Sequence, residues 1–215
     1  MTGEDYGSPA RSDQRSVSIV LLAAGRSSRM GAFGTHKLLS TFQGTTLIRR
    51  STLTSITSAA RSVFVVTGYR HSDIRRSIAD LPVSFVHNAS FASGLAGSLA
   101  LGVSAAESDE PDGVMIVLAD MPALTAPDLD LLISTFQADG GKSIIRAVGK
   151  GTPGNPVVFP KALFGKLKGL TGDTGARALI RALDLPVVDV EIGEGALIDV
   201  DTPDAIKAAG GIVVP

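Results

Sequence analysis

Short, continuous apolar runs recur along this chain at Val17–Leu22, Val63–Thr67, Val83–Val86 and Val114–Leu118, each rich in β-branched residues. Runs without polar alternation belong to strands buried on both faces, the hallmark of a parallel sheet covered by helices. The segments between them have helical spacing: Leu47, Ile48, Leu53, Ile56 and Ala60 in the first, Ile74 and Ile78 in the second, Leu95, Leu99, Val103 and Ala106 in the third. The alternation is βαβαβαβ, and right-handed crossovers place the helices on both faces of an open, mostly parallel, twisted α/β sheet. With 44% hydrophobic and only 5% aromatic residues and no Trp, the core must be built from Val, Ile, Leu and Ala.

Further along, Pro127 opens a helix through about Gln137. A strand at Ser143–Val148 follows, with Pro156–Phe159 as its neighbour. Helices at Pro160–Lys168 and Thr174–Leu183 precede strands at Val187–Val190 and Ala196–Val200. Thr202 is placed as the N-cap of a last helix, with Pro203 at its first position. At 215 residues the chain fits one domain, read as spanning 17–215 behind a disordered leader at 1–16 that lacks an apolar period or signal-like core. A net charge of −1 offers no general field for nucleic acid, and zero cysteines exclude disulfides and thiolate metal sites. No apolar run approaches the ~18 residues of a membrane span, and the chain reads as cytoplasmic.

In open α/β sheets, ligands bind beyond the carboxyl ends of the strands. Three segments fall there. The first leaves Val17–Leu22 as Ala23-Ala24-Gly25-Arg26-Ser27-Ser28-Arg29-Met30-Gly31, then continues to Lys37. Its glycines allow close backbone approach, Ser27 and Ser28 add donors, and Arg26, Arg29 and Lys37 add positive charge, which is the chemistry of a triphosphate loop. It is neither a Walker A loop nor a G-x-G-x-x-G dinucleotide turn. Arg26 is equally well read as a solvated surface cation. The second segment is Asp120, a carboxylate at the end of a wholly apolar strand, where it is costly unless paired or bound to a cation. The third is Asp199 and Asp201, which alternate along an extended stretch and so are expected to face opposite sides, with only one reaching a metal directly. Carboxylates without cysteine, and with only three scattered histidines, select a hard ion, Mg²⁺. His36, His71 and His87 read as surface or structural residues.

These segments, with Leu118-Ala-Asp120-Met-Pro122, Gly154-Asn155-Pro156, Gly172-Asp173-Thr174-Gly175-Ala176-Arg177 and Asp199-Val-Asp201-Thr-Pro203, resemble in order and spacing the MobA-like nucleotidyltransferase family, and most nearly its molybdopterin cytidylyltransferase branch. The resemblance covers roughly residues 17 to 210 and implies a Rossmann-like, GT-A-like nucleotidyltransferase fold. It implies that Ala23, Ala24 and Gly25 approach base and ribose, Arg29 contacts the phosphates, and Lys37 neutralises the α-phosphate. Asp120 and Asp201 would hold the metal, with Asp201 favoured over Asp199. The nucleotide half would span about 17–125, and the acceptor half, about 126–210, would bind the acceptor through Asn155, Asp173, Thr174 and Arg177. Gly94-Leu-Ala-Gly97-Ser98-Leu99 resembles a Gly-x-x-Ser-Ser-Leu segment near the nucleobase, with Gly97 in place of a serine; Ser98 remains a candidate donor, and close helix packing is an equal reading. Ala119 stands where the branch has Gly.

The implied activity is Mg²⁺-dependent transfer of CMP from CTP to the terminal phosphate of molybdopterin cofactor, with release of pyrophosphate. The implied partners are CTP, or GTP, and that cofactor, with a molybdenum hydroxylase or its chaperone downstream. Ala-Ala-Gly in the loop favours CTP, since guanylyl enzymes of the family carry Ala-Gly-Gly. Other readings are a guanylyl or sugar-phosphate nucleotidyltransferase, a non-catalytic cofactor carrier, and a glycosyltransferase with an Asp-x-Asp motif.

Overall fold

The computed structural model describes residues 14–30, 35–172, 179–181 and 185–214. Its elements run β1 (Val17–Ala23), β2 (Thr41–Phe42), β3 (Thr45–Thr46), α1 (Leu47–Ile56), β4 (Val63–Thr67), α2 (His71–Ser77), β5 (Ser84–His87), α3 (Leu95–Glu107) and β6 (Gly113–Leu118). The second half adds α4 (Ala126–Ala138), β7 (Ile144–Gly149), β8 (Thr152–Pro160), α5 (Phe164–Lys168), β9 (Val187–Glu191), α6 (Pro203–Ala208) and β10 (Gly211–Ile212). Seven strands form one open sheet in the order β5-β4-β1-β6-β8-β7-β9. The first four are mutually parallel, β8 runs antiparallel to both neighbours, and β9 is parallel to β7.

Every residue of β1 is buried, Ser18 included, as expected of a largely apolar strand covered on both faces. Ile19, Leu21 and Ala23 face a core layer shared with Ile48 of α1, Ile74 of α2 and Leu129, Leu132 and Phe136 of α4. Val20, Leu22 and the following Ala24 face the opposite layer, closed by Leu99 and Val103 of α3 and Phe164 and Leu167 of α5. Gly102 makes α3's close seat possible, because a Cβ there would lie 2.4 Å from Val20 Cγ1.

The segment predicted as a strand at Ala196–Val200 is not one. Gly193–Ala196 forms a 3₁₀ turn and the chain then runs irregularly to Asp201. The cause is close packing: a Cβ on Gly149 would lie 2.4 Å from Gly193 O, and one on Gly154 would lie 2.1 Å from Ala196 O. The turn therefore lies flat on the β7–β8 hairpin and cannot pair beside it. Its far end is tied to the end of β6, Val200 N–H donating to Asp120 O at 3.0 Å. The first helix stops at Ile56, short of Ala60, and the one expected from Pro160 begins as 3₁₀ at Lys161–Leu163. A small antiparallel sheet, β10-β2-β3, escapes the periodicity because each strand has only two residues. The helix expected over Thr174–Leu183 lies mostly outside the described residues, as does most of the leader. Ser16 and Arg15 bond to the body through Asp112, and Gln137 Nε2 donates to Arg15 O at 3.0 Å. No helix among the described residues is long and apolar enough to cross a membrane.

Candidate active site

β1 and β6 are adjacent and in register, Leu22 opposite Leu118, so the residues that follow them leave the sheet side by side. Ala119 N–H still donates to Leu22 O at 3.1 Å, and Ser51 Oγ donates to Ala119 O at 2.8 Å, fixing the backbone just before Asp120. At this edge a cavity of about 390 Å³ is lined by Ala23, Ala24, Gly25, Arg26, Lys37, Ser98 and Asp120. Phe91, Ala92 and Leu95 give it an apolar wall. Asn88 Nδ2 donates to Ser98 Oγ at 2.9 Å, which orients that hydroxyl at the cavity. Gly97 is not a packing glycine, since a Cβ there would meet Asn88 and Ser93 only at an ordinary 3.7 Å.

The polar end of the cavity is an ionic cluster. Lys37 Nζ donates to Asp120 Oδ2 and, at 2.6 Å, to Asp201 Oδ1. Arg29 reaches the other oxygen of Asp201 at 2.5 Å. The Lys37 side chain is only 12% exposed, whereas that of Arg29 is 70% exposed, so the lysine contacts are the less screened. Burial alone would lower the Lys37 pKa, but Asp120 and Asp201 outweigh it and hold the ammonium above its ordinary value. Burial likewise pushes Asp120 up, against the pull of Lys37. Asp201 is held below the usual carboxylate range: Lys37 and Arg29 together overcome its desolvation.

Asp199 joins the same cluster. Asp120, Asp199 and Asp201 each offer an oxygen, all within 4.8 Å of one another. The expectation that Asp199 and Asp201 face opposite sides rested on an extended strand, and the irregular path after the 3₁₀ turn removes that alternation. Asp120 Oδ1 is buried and accepts no hydrogen bond among the described residues. A buried carboxylate oxygen without a partner is expensive, and a hard cation shared with Asp199 and Asp201 would satisfy it. The donor set thus fits a divalent metal.

The glycine-rich segment leaves β1 through Ser27 in the left-handed region, φ 54°, into a 3₁₀ turn at Ser28–Met30. Ser27 Oγ is buried and has no hydrogen-bond partner among the described residues, and Ser28 is exposed; neither lines the cavity. Arg26 is no merely solvated cation, for its guanidinium lies 5.8 Å from the centroid of the Phe91 ring at the cavity wall. Gly31 and Gly34 lie outside the described residues. So do Asp173, Thr174 and Arg177. Asn155 is half-buried on β8, before a cis bond to Pro156, and is not among the residues lining this cavity.

Sequence reasoning missed the part played by His36. Its ring is fully buried, accepts from Leu38 N–H at Nδ1 (3.2 Å) and faces Gly25 O with Nε2 (3.2 Å). Only the neutral ring protonated at Nε2 satisfies both contacts. Desolvation lowers its pKa to about 4, ahead of the opposing bond to Gly25. His36 thereby caps the turn Lys37–Leu39 and ties it to the start of the glycine loop. A polar residue four positions before Ser40 and next to a lysine carries no signal of this in one dimension. Asn88 was missed for a similar reason, although its place just after an apolar strand is a typical one for turn-forming Asn.

A glycine loop leaving a parallel strand, a neighbouring strand-end carboxylate bridged to a lysine, and a lateral cavity together define an α/β protein equipped for nucleoside phosphates. The chain belongs to the MobA-like NTP transferase family, whose domain model matches residues 19–187. It is 32% identical over 195 residues to the purine catabolism protein PucB of Bacillus subtilis, covering 86% of this chain and 91% of that one. It is 28% identical over 189 residues to the molybdenum cofactor cytidylyltransferase of Escherichia coli, covering 87% and 92%. Among solved structures, Rv0371c of Mycobacterium tuberculosis superposes with a TM-score of 0.79 at 24% identity, covering 92% of this chain and 98% of that one, and shares the fold. A second structure of that protein is a manganese complex.

Proposed function

We propose that the chain transfers CMP from CTP to the terminal phosphate of molybdopterin cofactor. The observation that carries this reading is the juxtaposition of Lys37, Asp120 and Asp201 at the polar end of a cavity whose walls are the Ala23-Ala24-Gly25 backbone, Ser98, Phe91 and Leu95. The reaction forms a bond between an acceptor phosphate oxygen and the α-phosphorus of CTP and breaks the α–β bridging P–O bond, so pyrophosphate leaves. A phosphate monoester oxygen is already nucleophilic, which matches a site where the described residues form no base–nucleophile pair; placement and charge neutralisation suffice.

Lys37 is the point charge at the α-phosphate, and the Arg29 fork serves the leaving pyrophosphate. Asp120, with Asp199 and Asp201, would hold Mg²⁺, which when bound neutralises triphosphate charge. Phe91 and Leu95 offer apolar surface to the base, and Ser98 a polar contact. Asn155, Asp173, Thr174 and Arg177 are assigned to the acceptor. The choice of CTP rests on Ala23-Ala24 in the loop and on the likeness to the cytidylyltransferase. PucB is named for purine catabolism, and that name specifies neither a reaction nor a substrate. A carrier without catalytic function is disfavoured, because it has no use for a lysine-bridged acidic cluster at a triphosphate loop.

The test is pyrophosphate release by the purified protein with Mg²⁺ and molybdenum-loaded cofactor, run with CTP, GTP and ATP in turn. CTP should be used fastest. A clear preference for GTP would overturn the cytidylyl assignment, and no release with any nucleotide would overturn nucleotidyl transfer itself.

A further inference from the structure

The three cations of the glycine loop are each engaged by the protein's own groups. Arg26 lies over Phe91, Arg29 pairs with Asp201, and Lys37 bridges Asp120 and Asp201. We infer that Lys37 is an internal stand-in for the divalent cation, competing with it for Asp120 Oδ2 and Asp201 Oδ1 until a triphosphate gives the ammonium another partner. This rests on the metal and triphosphate assignments above and concerns the order in which the site fills.

Geometry makes the two occupants exclusive. A hard divalent ion sits about 2.1 Å from its carboxylate oxygens. An ion seated between Asp120 Oδ2 and Asp201 Oδ1 would fall where Nζ already donates to both, and two unscreened cations cannot share those oxygens. Asp120 Oδ1 is the complementary observation: it is buried and has no hydrogen-bond partner among the described residues, whereas the second oxygen of Asp201 is taken by Arg29. A lysine leaves this oxygen unpaired; a cation shared with Asp199 satisfies it.

Lys37 also has somewhere to go. Its backbone is pinned, because Leu38 N–H bonds to the His36 ring and Ser40 N–H to Lys37 O at 3.2 Å. Its four-carbon stem is flexible, and the residue already lines the cavity. Nζ thus has two addresses, the carboxylates and the cavity, reached by rotamer change alone. A metal arriving by itself must evict the lysine uncompensated. A metal arriving with triphosphate releases the lysine to phosphate oxygens. Metal and nucleotide therefore bind with positive coupling, which is reciprocal by linkage.

Electron paramagnetic resonance of free Mn²⁺ measures this directly on the full chain, with and without CTP and with no acceptor present. Lys37→Gln should bind Mn²⁺ alone more tightly than the parent, on the order of 10-fold, as expected for loss of one unit charge a few ångströms away. The enhancement of Mn²⁺ affinity by CTP should shrink by a similar factor. Arg26→Gln removes the same charge from the same loop without freeing a carboxylate and should change Mn²⁺ affinity less than twofold. The inference is overturned if Lys37→Gln leaves Mn²⁺ affinity unchanged or weaker, or if Arg26→Gln tightens it equally.

Should Lys37→Gln melt early, site-resolved acetylation of the parent protein replaces it. Mn²⁺ alone should then raise Lys37 labelling several-fold, and CTP should suppress it again; labelling indifferent to Mn²⁺ refutes the competition. If the parent binds no Mn²⁺ even with CTP, the metal assignment itself fails and takes this inference with it. If Asp120→Asn weakens Mn²⁺ while Lys37→Gln does not tighten it, the metal assignment stands and only the competition fails.

Discussion

Acid should unfasten the nucleotide loop through one residue, His36. Its ring is buried and neutral, with Nδ1 accepting from Leu38 N–H and Nε2 donating to Gly25 O, and its pKa falls from an ordinary 6.5 to about 4. The unfolded chain therefore takes up a proton at higher pH than the folded one. The stability tied to the neutral ring is complete above pH 6.5 and is lost as pH falls toward 4. A shift of this size corresponds to about 3 kcal/mol in full, of which about 2 kcal/mol is gone by pH 5. For a chain of this length that is a fall in Tm of about 4–8 °C between pH 8 and pH 5 from this group alone. The comparison is His36→Asn, whose side-chain oxygen can still cap Leu38 N–H but does not titrate. Its denaturant midpoint at pH 8 should lie below the parent's, and its decline from pH 8 to pH 5 should be shallower by about 2 kcal/mol. His71 is also lowered, by desolvation and by the stacked ring of His87, but it titrates in both proteins and cancels in the difference. Parallel acid limbs for the two proteins would refute the assignment of His36 as a buried neutral tie.

Other expectations follow from single contacts. Asp199→Asn should lower turnover, on the order of 10-fold, with a matching rise in the Mg²⁺ concentration for half-maximal rate, because Asp199 lies within the carboxylate cluster; an unchanged Mg²⁺ requirement would remove it from the site. Deleting residues 1–16 should cost roughly 1–2 kcal/mol by urea denaturation, since Ser16 and Arg15 satisfy Asp112; an unchanged midpoint would show that these contacts carry no stability. Gly154→Ala should destabilise by more than about 2 kcal/mol, because its Cβ would lie 2.1 Å from Ala196 O and dislodge the turn leading to Asp199 and Asp201; a neutral melt would show that this turn yields freely.

The centre of the sheet was legible because β1 and β4 are buried on both faces: Val63–Thr67 is bounded identically in sequence and structure, and β1 differs by one residue. Short or close-packed features were not. Two-residue strands such as Thr41–Phe42 have no period to read, and the turn at Gly193–Ala196 is set by its close approach to Gly149 and Gly154, some 40 residues away in the chain. The candidate site divides in the same way. Asp120 and the loop could be placed because each follows an apolar strand, and the sheet rule brings strand ends together. Asp199 could not, since its direction depends on a turn shaped by the β7–β8 hairpin. The chemistry of Lys37 was visible in its charge, but its bridge to two carboxylates from opposite ends of the chain was not, and His36 is defined wholly by what surrounds it.

Turnover of Asp120→Asn, measured beside its melting curve, bears most directly on the claim that the Lys37–Asp120–Asp201 cluster is the reaction centre. The substitution keeps the shape, removes the charge, and leaves Lys37 its bond to Asp201. The expected result is a melting temperature within a few degrees of the parent and pyrophosphate release with CTP lowered on the order of 10²-fold or more, partly recovered at high Mg²⁺. A folded Asp120→Asn protein that turns over at nearly the parental rate would contradict it.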